Sequence, residues 1–488
     1  MKVLFIHPND YINNGIPSGV AILSAVLKQK GHTVDIFDFT FIKTEELPPK
    51  DDKEPSKYLP TEYDIEELVA DDPVIPLEEA FKQKIKEFDP DLIAVSVMTG
   101  HFDKVINLLK KVRAKCKTIF GGVHPTISPH RTLQNDVVDF ICIGDGEGLL
   151  IDLLEALEKG MDYKHIKNLG YKENGIIKIN ELRPFVNMDE LPTPDWSLFD
   201  ERHLFRPYMG NIYKGSFYIM SRGCPQICTY CVNYALRERL KGCGKYFRYQ
   251  SPETTVNQLK IIKEKYGATW FKFADDSIML FKIDYLEELA KGLKPLKINF
   301  GCSVRPENVT EQKIKLLKEM GMVAASVGIE SGNERIRREV LKRNMTNELI
   351  INAIELLNKY NIRVSTFNMI GLPGETRENV FETIKLNKRL KVVATNVYIV
   401  YPYPNTQLNI KYNVNIYDDN GHIIPVSKAS NFALSKMSPS EVDGLLRTFQ
   451  LYVSLPEKMW PIIKIAEKSD KTANKLRKTL INYMVRET

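Results

Sequence analysis

Ser221–Val232 reads SRGCPQICTYCV. Cys224, Cys228 and Cys231 are three of the chain's seven cysteines, spaced C-x3-C-x2-C within eight residues. An odd number of cysteines in a long chain does not describe a disulfide framework. In a reducing cytoplasm, the expected location, clustered thiols serve a metal or catalysis. A structural zinc site takes four ligands, and Cys243 in KGCGK, twelve residues on, is available as the fourth. A 4Fe-4S cluster also takes four cysteines as a rule; held by three, it keeps one iron open to a substrate or cofactor. Both readings are compatible with the spacing.

The cysteines directly follow an apolar segment, SFYIMS, and the chain then alternates WFKFAD, INFGCSV, AASVGI, VSTFNMIG and ATNVYIV with amphipathic helices. Six strand–helix units over residues 206–400 predict a partial or full barrel, whose chemistry sits at the C-terminal ends of its strands. The three thiols lie at such an end.

Upstream, residues 1–160 show the same alternation, with VLFIH, TVDIFDF, LIAVSV, KTIFGG and FICIG as strands. That pattern predicts a doubly wound parallel sheet with ligands beyond the carboxyl ends of its strands. The loops there are His7–Gly19, Ser96–His101, Gly121–Thr126 and Gly144–Gly148. An excursion, Phe41–Pro76, is rich in Pro, Asp, Glu and Lys and reads as a functional cover or an unstructured loop. Residues 161–205, containing RPFVNMDELPTPDW, read as a linker, and residues 401–488 as a mainly helical region that shapes the substrate pocket. The fold class is α/β: an N-terminal doubly wound, Rossmann-like domain, then a partial (β/α)6 barrel and a mainly helical C-terminal region.

With 488 residues, more than one core is expected, and 43% apolar content describes an ordinary globular protein. A formal charge of +6 over the whole length is too small to argue for nucleic acid. MKVLFIHPND reads as a first strand rather than a secretory signal, and no apolar run is long enough to span a membrane.

The cysteine spacing, with Tyr230 just before the last thiol, resembles the signature of the radical SAM superfamily. The resemblance implies that Cys224, Cys228 and Cys231 hold a 4Fe-4S cluster whose open iron is chelated by S-adenosylmethionine. The other motifs come in the family's order, each at a strand end. In FADDS, Asp275 and Asp276 match the position that meets the methionyl ammonium; a helix cap is the structural alternative. In GIESG (Gly328–Gly332), Glu330, beside Ser331, matches the carboxylate that meets the adenosyl ribose. MIGLPGET, with Gly371 and Pro373, is similar to the family's backbone contact with adenine. YPYPNTQL resembles its closing P-x-P-G-T loop, with Asn405 in place of glycine. Cys116, Cys142, Cys243 and Cys302 read as small buried hydrophobes.

GIPSGVAILSAVLKQKGHTVDIFDF, SVMTG, GGVHPT and CIGDGEG resemble the cobalamin-binding domain fused in front of many radical SAM enzymes. The likeness covers about residues 1–400. It implies that Gly121 and Gly122 let the cofactor's nucleotide tail pass close to the backbone, that Ser96 and Thr99 hydrogen-bond it, and that His124 lies against it. The D-x-H-x-x-G motif of other cobalamin proteins is missing, so no protein histidine is expected on cobalt; His7, His101 and His124 lack its context. The G-x-G-x-x-G dinucleotide fingerprint is missing as well.

The resemblance implies a cobalamin-dependent radical SAM enzyme, similar to the class B methyltransferases. Such an enzyme transfers a methyl group from methylcobalamin to an unactivated carbon or a phosphinate phosphorus of a small molecule. It implies an electron donor such as flavodoxin or ferredoxin and anaerobic work. Its rivals are a cyclase or rearrangement enzyme of the same architecture and a zinc-stabilised binding protein. No nucleic-acid partner is expected.

Overall fold

The computed structural model describes residues 1–11, 13–45, 69, 71–208 and 211–487. Most of the Phe41–Pro76 excursion lies outside these residues. Strands β1 (Lys2–His7), β2 (Thr33–Asp38), β3 (Leu92–Ser96), β4 (Lys117–Gly121) and β5 (Phe140–Cys142) are parallel and lie in the order β2-β1-β3-β4-β5. Val3, Leu4, Phe5 and Ile6 are all buried, as a central strand covered on both faces requires. The strand order reverses between β1 and β3, which opens a crevice at their carboxyl ends.

The first sheet runs further than the sequence reading has it. Strands β6 (Leu169–Glu173) and β7 (Ile176–Ile179) add to its edge, antiparallel, inside the stretch read as a linker. They form a tight hairpin about Asn174–Gly175, whose φ values of +49° and +78° suit the Asn-Gly turn signal. The rest of that stretch is packed rather than free. Trp196 is buried against Tyr266 and Phe271, and Asp195 accepts from Ser24 Oγ (2.8 Å) and Lys28 Nζ (2.7 Å).

A second hairpin, β8 (Phe205–Tyr208) and β9 (Asn211–Lys214), leads into β10 (Phe217–Tyr218). The short pair β11 (Ser221–Arg222) and β12 (Arg248–Tyr249) brackets the cysteine loop. Strands β13 (Trp270–Phe273), β14 (Asn299–Val304), β15 (Met322–Glu330), β16 (Arg363–Ile370) and β17 (Ala394–Ile399) follow β10 in one six-stranded sheet, each pair parallel. Along β16, Val364, Thr366, Asn368 and Ile370 are buried towards the helices, while Ser365, Phe367 and Met369 face the hollow side. This is the partial barrel.

The hairpin β8–β9 closes the barrel's lower end. Tyr208 Oη donates to Val323 O (3.2 Å), its ring lies 5.8 Å from that of Trp270, and Arg363 sits over it. Those three contacts fall at the N-terminal ends of β15, β13 and β16. The C-terminal region is mainly helical: Pro439–Ser454, with a Ser438/Glu441 capping box, and then Trp460–Ala466 and Lys471–Glu487. Residues 405–424 reach back to the first domain, where Asn405 Nδ2 donates to Ile127 O (2.6 Å) and Ile423 N to Asp103 Oδ2 (2.5 Å). No helix among the described residues is long and apolar enough to cross a membrane.

Candidate functional site

Two cavities meet at the cysteine loop. The first, about 370 Å³, lies at the carboxyl ends of β1, β3, β4 and β5 and is closed by the barrel's loop and helix (Ile219, Arg222, Leu236, Leu240). Ser96, Gly121 and Gly122 line it, as does Asp145 of the Gly144–Gly148 loop. Gly122 has φ +94°, and a Cβ there would stand 3.0 Å from Val97 N, so only glycine fits. The glycine floor and mostly apolar walls suit a flat macrocycle with a tail drawn along the backbone.

Thr99 and His124 do not reach this cavity. They pair with each other behind its wall (His124 Nδ1 to Thr99 Oγ1, 3.2 Å), with the imidazole 4.2 Å from the Phe102 ring. Burial pushes His124 down to about 3, so it stays neutral. No histidine is among the described residues lining the cavity.

Four charged side chains join the two domains across its rim. Asp145 accepts from Arg222 Nη1 (3.0 Å) and from Arg248 Nη2 (2.6 and 2.7 Å), and Glu147 accepts from Arg222 Nη2 (2.5 Å). Arg248 also lies 3.9 Å over the Phe185 ring. Burial opposes the charge on Arg222, but Glu147 and Asp145 together outweigh it and raise its pKa.

The second cavity, about 530 Å³, occupies the top of the barrel. Cys224, Cys228, Cys231, Tyr230, Asp276 and Glu330 all line it. Among the described residues no three His, Cys, Asp or Glu side chains close on one point as a single ion's ligand shell would. The three thiols line one cavity, the side on which a cluster would sit. Arg305 Nη1 donates to Cys228 Sγ (3.0 Å) and Asn233 Nδ2 to Cys231 Sγ (3.7 Å). Cys243 packs in the first domain's core with Ile141, Ile143 and Leu240, away from this cavity.

Glu330 ends β15 at φ +67°, past a break in register after Gly328, an unusual conformation for a side-chain-bearing residue. Its Oε1 accepts from Arg343 Nη1 (2.6 Å) and Tyr230 Oη (2.9 Å), which fix the carboxylate at the cavity wall. The Asp275–Asp276 pair divides. Asp276 faces the cavity and accepts from Asn233 Nδ2 (2.9 Å), whereas Asp275 is buried behind it and accepts from Ser221 Oγ and Met220 N. Burial raises the Asp275 carboxyl to about 7.

Ser331, Gly371 and Pro373 are buried and lie outside the lining; Met369, two residues earlier, lines the cavity. The Gly371 turn is propped by Glu375, whose Oε2 accepts from Leu372 N (3.1 Å) while Oε1 has no hydrogen-bond partner among the described residues. Burial raises Glu375 from the ordinary 4.5 to about 8. A folded-state pKa above the unfolded one means stability that is complete below the unfolded value and lost as pH rises through the folded one. Thermal denaturation should therefore show Tm falling as pH climbs from 4.5 to about 8, and Glu375→Gln should flatten that fall. An unchanged slope would show that Glu375 is ionised in the fold. In the YPYPNTQL loop, Asn405 has φ +60°, a left-handed position that asparagine tolerates in place of the expected glycine.

Asn233 was not singled out by sequence, yet it lines both cavities, held by Tyr246 Oη (2.9 Å to Oδ1). Its position two residues after the last cysteine, at the start of the helix Val232–Arg239, was the available signal. Arg222, Arg305 and Arg343 were also missed, because their partners are distant in sequence.

Comparisons with known proteins agree with this geometry. Residues 218–386 match the family model of the radical SAM superfamily and residues 61–154 that of the B12 binding domain. Over 330 residues the chain is 32% identical to an uncharacterized methyltransferase of Pyrococcus horikoshii, covering 66% of this chain and 70% of that one. It is 23% identical over 476 residues to the anaerobic magnesium-protoporphyrin IX monomethyl ester cyclase of Cereibacter sphaeroides, covering 93% and 70%. Its fold matches that of TsrM from Kitasatospora setae, a radical S-adenosylmethionine methyltransferase solved with cobalamin and a 4Fe-4S cluster. The TM-score is 0.62 at 16% identity, over 84% of this chain and 74% of that one. The chain belongs to the radical SAM superfamily. Within it, this is an enzyme with a B12-binding domain ahead of the barrel, and its cofactors are a 4Fe-4S cluster, S-adenosylmethionine and cobalamin.

Proposed function

We propose that the enzyme is a methyltransferase that places a methyl group on an unactivated carbon or a phosphinate phosphorus of a small molecule. When bound, the cluster and S-adenosylmethionine supply a 5′-deoxyadenosyl radical, and the cobalamin supplies the methyl group. The observation behind this reading is the shared wall: Asn233 lines both cavities, so the two sites are neighbours.

In this reading Cys224, Cys228 and Cys231 hold the cluster and leave one iron open. Asp276 receives the ammonium of S-adenosylmethionine, and Glu330, aimed by Arg343 and Tyr230, receives the ribose diol through charge-assisted hydrogen bonds. Asp275 braces the cysteine loop through Ser221 and Met220. Ser96, Gly121 and Gly122 seat the cobalamin tail. The first domain covers the barrel mouth and keeps water from the reacting centre. A flavodoxin- or ferredoxin-like donor supplies the reducing electron.

The name of the Pyrococcus relative supports methyl transfer. Likeness to the cyclase over 93% of the chain favours a second reading, oxidative cyclisation. The two differ in how S-adenosylmethionine is spent. With deuteromethyl-labelled S-adenosylmethionine, a reductant and an anaerobic cell extract as substrate source, methyl transfer should yield S-adenosylhomocysteine and 5′-deoxyadenosine in near-equal amounts. The label should appear in the product. Deoxyadenosine formed with product but without S-adenosylhomocysteine would leave cyclisation as the better reading.

A further inference from the structure

The barrel hollow holds a cation that the cofactor assignments do not use. Lys272, on β13, is half-buried in the second cavity, and its Nζ donates to Ser326 Oγ at 2.8 Å. No carboxylate among the described residues pairs with it, and burial holds its ammonium below the ordinary lysine value. The other cations lining the cavity are matched: Arg343 to Glu330 (2.6 Å) and Arg305 to Glu307. An unmatched buried ammonium is costly unless a ligand brings the counter-charge.

Its surroundings suit an anion. Ser303 stands level with Ser326 in the strand register and also lines the cavity, so a second hydroxyl belongs to the same wall. The site is deep. From Ser326 to Glu330 the partner strand advances three residues, Ser365 to Asn368, about 10 Å at the usual rise, so the ammonium's partner lies well below the level assigned to the adenosyl ribose. Above it, Phe367 and Tyr398 present near-parallel rings, 6.1 Å between centroids and 9° between planes. Tyr398 is 54% exposed although it faces the barrel hollow, an apolar wall open on the side away from Phe367.

We propose that Lys272, with Ser303 and Ser326, binds a carboxylate or phosphate group of the substrate, whose flat apolar body lies against Phe367 and Tyr398. This rests on the reading of the cavity as a radical SAM substrate site. The same anion chemistry could come from the methionyl carboxylate of S-adenosylmethionine, and the test separates the two sources.

The probes are 2-naphthoate and its neutral analogue 2-naphthamide, titrated by calorimetry into the full-length, cluster-reconstituted protein saturated with S-adenosylmethionine. Naphthoate should bind about tenfold more tightly than naphthamide, as a charge-assisted contact predicts. Lys272→Met should erase that preference while leaving the affinity for S-adenosylmethionine within about twofold. Lys272→Arg should keep part of the preference, which guards against a variant that merely misfolds. Tyr398→Ala should weaken both probes alike. Equal binding of the two probes by the unaltered protein would overturn the proposal. So would competition of naphthoate with S-adenosylmethionine together with a large loss of its affinity in Lys272→Met, because the lysine would then serve the cofactor. If the reconstituted protein fails to bind S-adenosylmethionine at all, the proposed function itself falls, and this inference with it.

Discussion

Alanine at Cys224, Cys228 or Cys231 is expected to remove the iron–sulfur absorbance and to reduce cleavage of S-adenosylmethionine to background. The three thiols line one cavity and no fourth cysteine is among the described residues lining it, so none can be spared. The neighbouring contacts point the same way: Arg305 and Asn233 donate to Cys228 and Cys231, as hydrogen bonds to cluster sulfurs do when they tune its potential. Cys243→Ala should behave differently. It removes a small side chain from the first domain's core and should cost ~1–2 kcal/mol of stability with full iron content retained. Iron and sulfide analysis of the four variants, reconstituted side by side, decides the point. Loss of metal in Cys243→Ala equal to that in the other three would restore the zinc reading with four thiolates.

The second large effect is expected at the domain junction. Asp145→Ala leaves Arg248 without a carboxylate and Arg222 with Glu147 alone, in a region largely closed to water. Breaking one partner of a buried ionic network typically costs ~3–5 kcal/mol, because the remaining charges stay desolvated and unmatched. Scanning calorimetry should show the main transition lowered on the order of 5–10 °C. Arg222 immediately precedes Gly223 and Cys224, so the same variant should also lose its cluster faster when diluted anaerobically. Asp145→Asn, which keeps the acceptor oxygen, should lose less. An unchanged transition in Asp145→Ala would mean that water screens the network, as at an exposed ion pair.

The parallel strands of both sheets were legible because each is a short apolar or alternating run bounded by turn residues; VLFIH and VSTFNMI are the clearest. The cysteine triplet was legible because all three ligands lie within one loop. What escaped was of two kinds. Some of it was local and readable in principle. Side chains alternate along a strand, so of Asp275 and Asp276 one must turn from the barrel hollow; continuing the inward series from Lys272 selects Asp276. Likewise Asn174–Gly175 is a hairpin signal inside a stretch that its prolines made look like a tether. The rest depended on long-range pairing. Asp145 and Arg222 are 77 residues apart, and Glu330 with Tyr230 100 apart. No periodicity reports such partners. Thr99 and His124 were placed against the cofactor because of the loops they occupy, but a loop position does not say which way a side chain turns.

The hairpin β8–β9 has a consequence for traffic. With Tyr208 packed against Val323, Trp270 and Arg363, the described residues give the barrel a floor, like a well. By that floor, whatever rests beside Lys272 enters and leaves past the rim where Glu330 and Asp276 stand. A molecule on the floor is therefore the first to arrive and the last to depart, and anything seated above it acts as its cork.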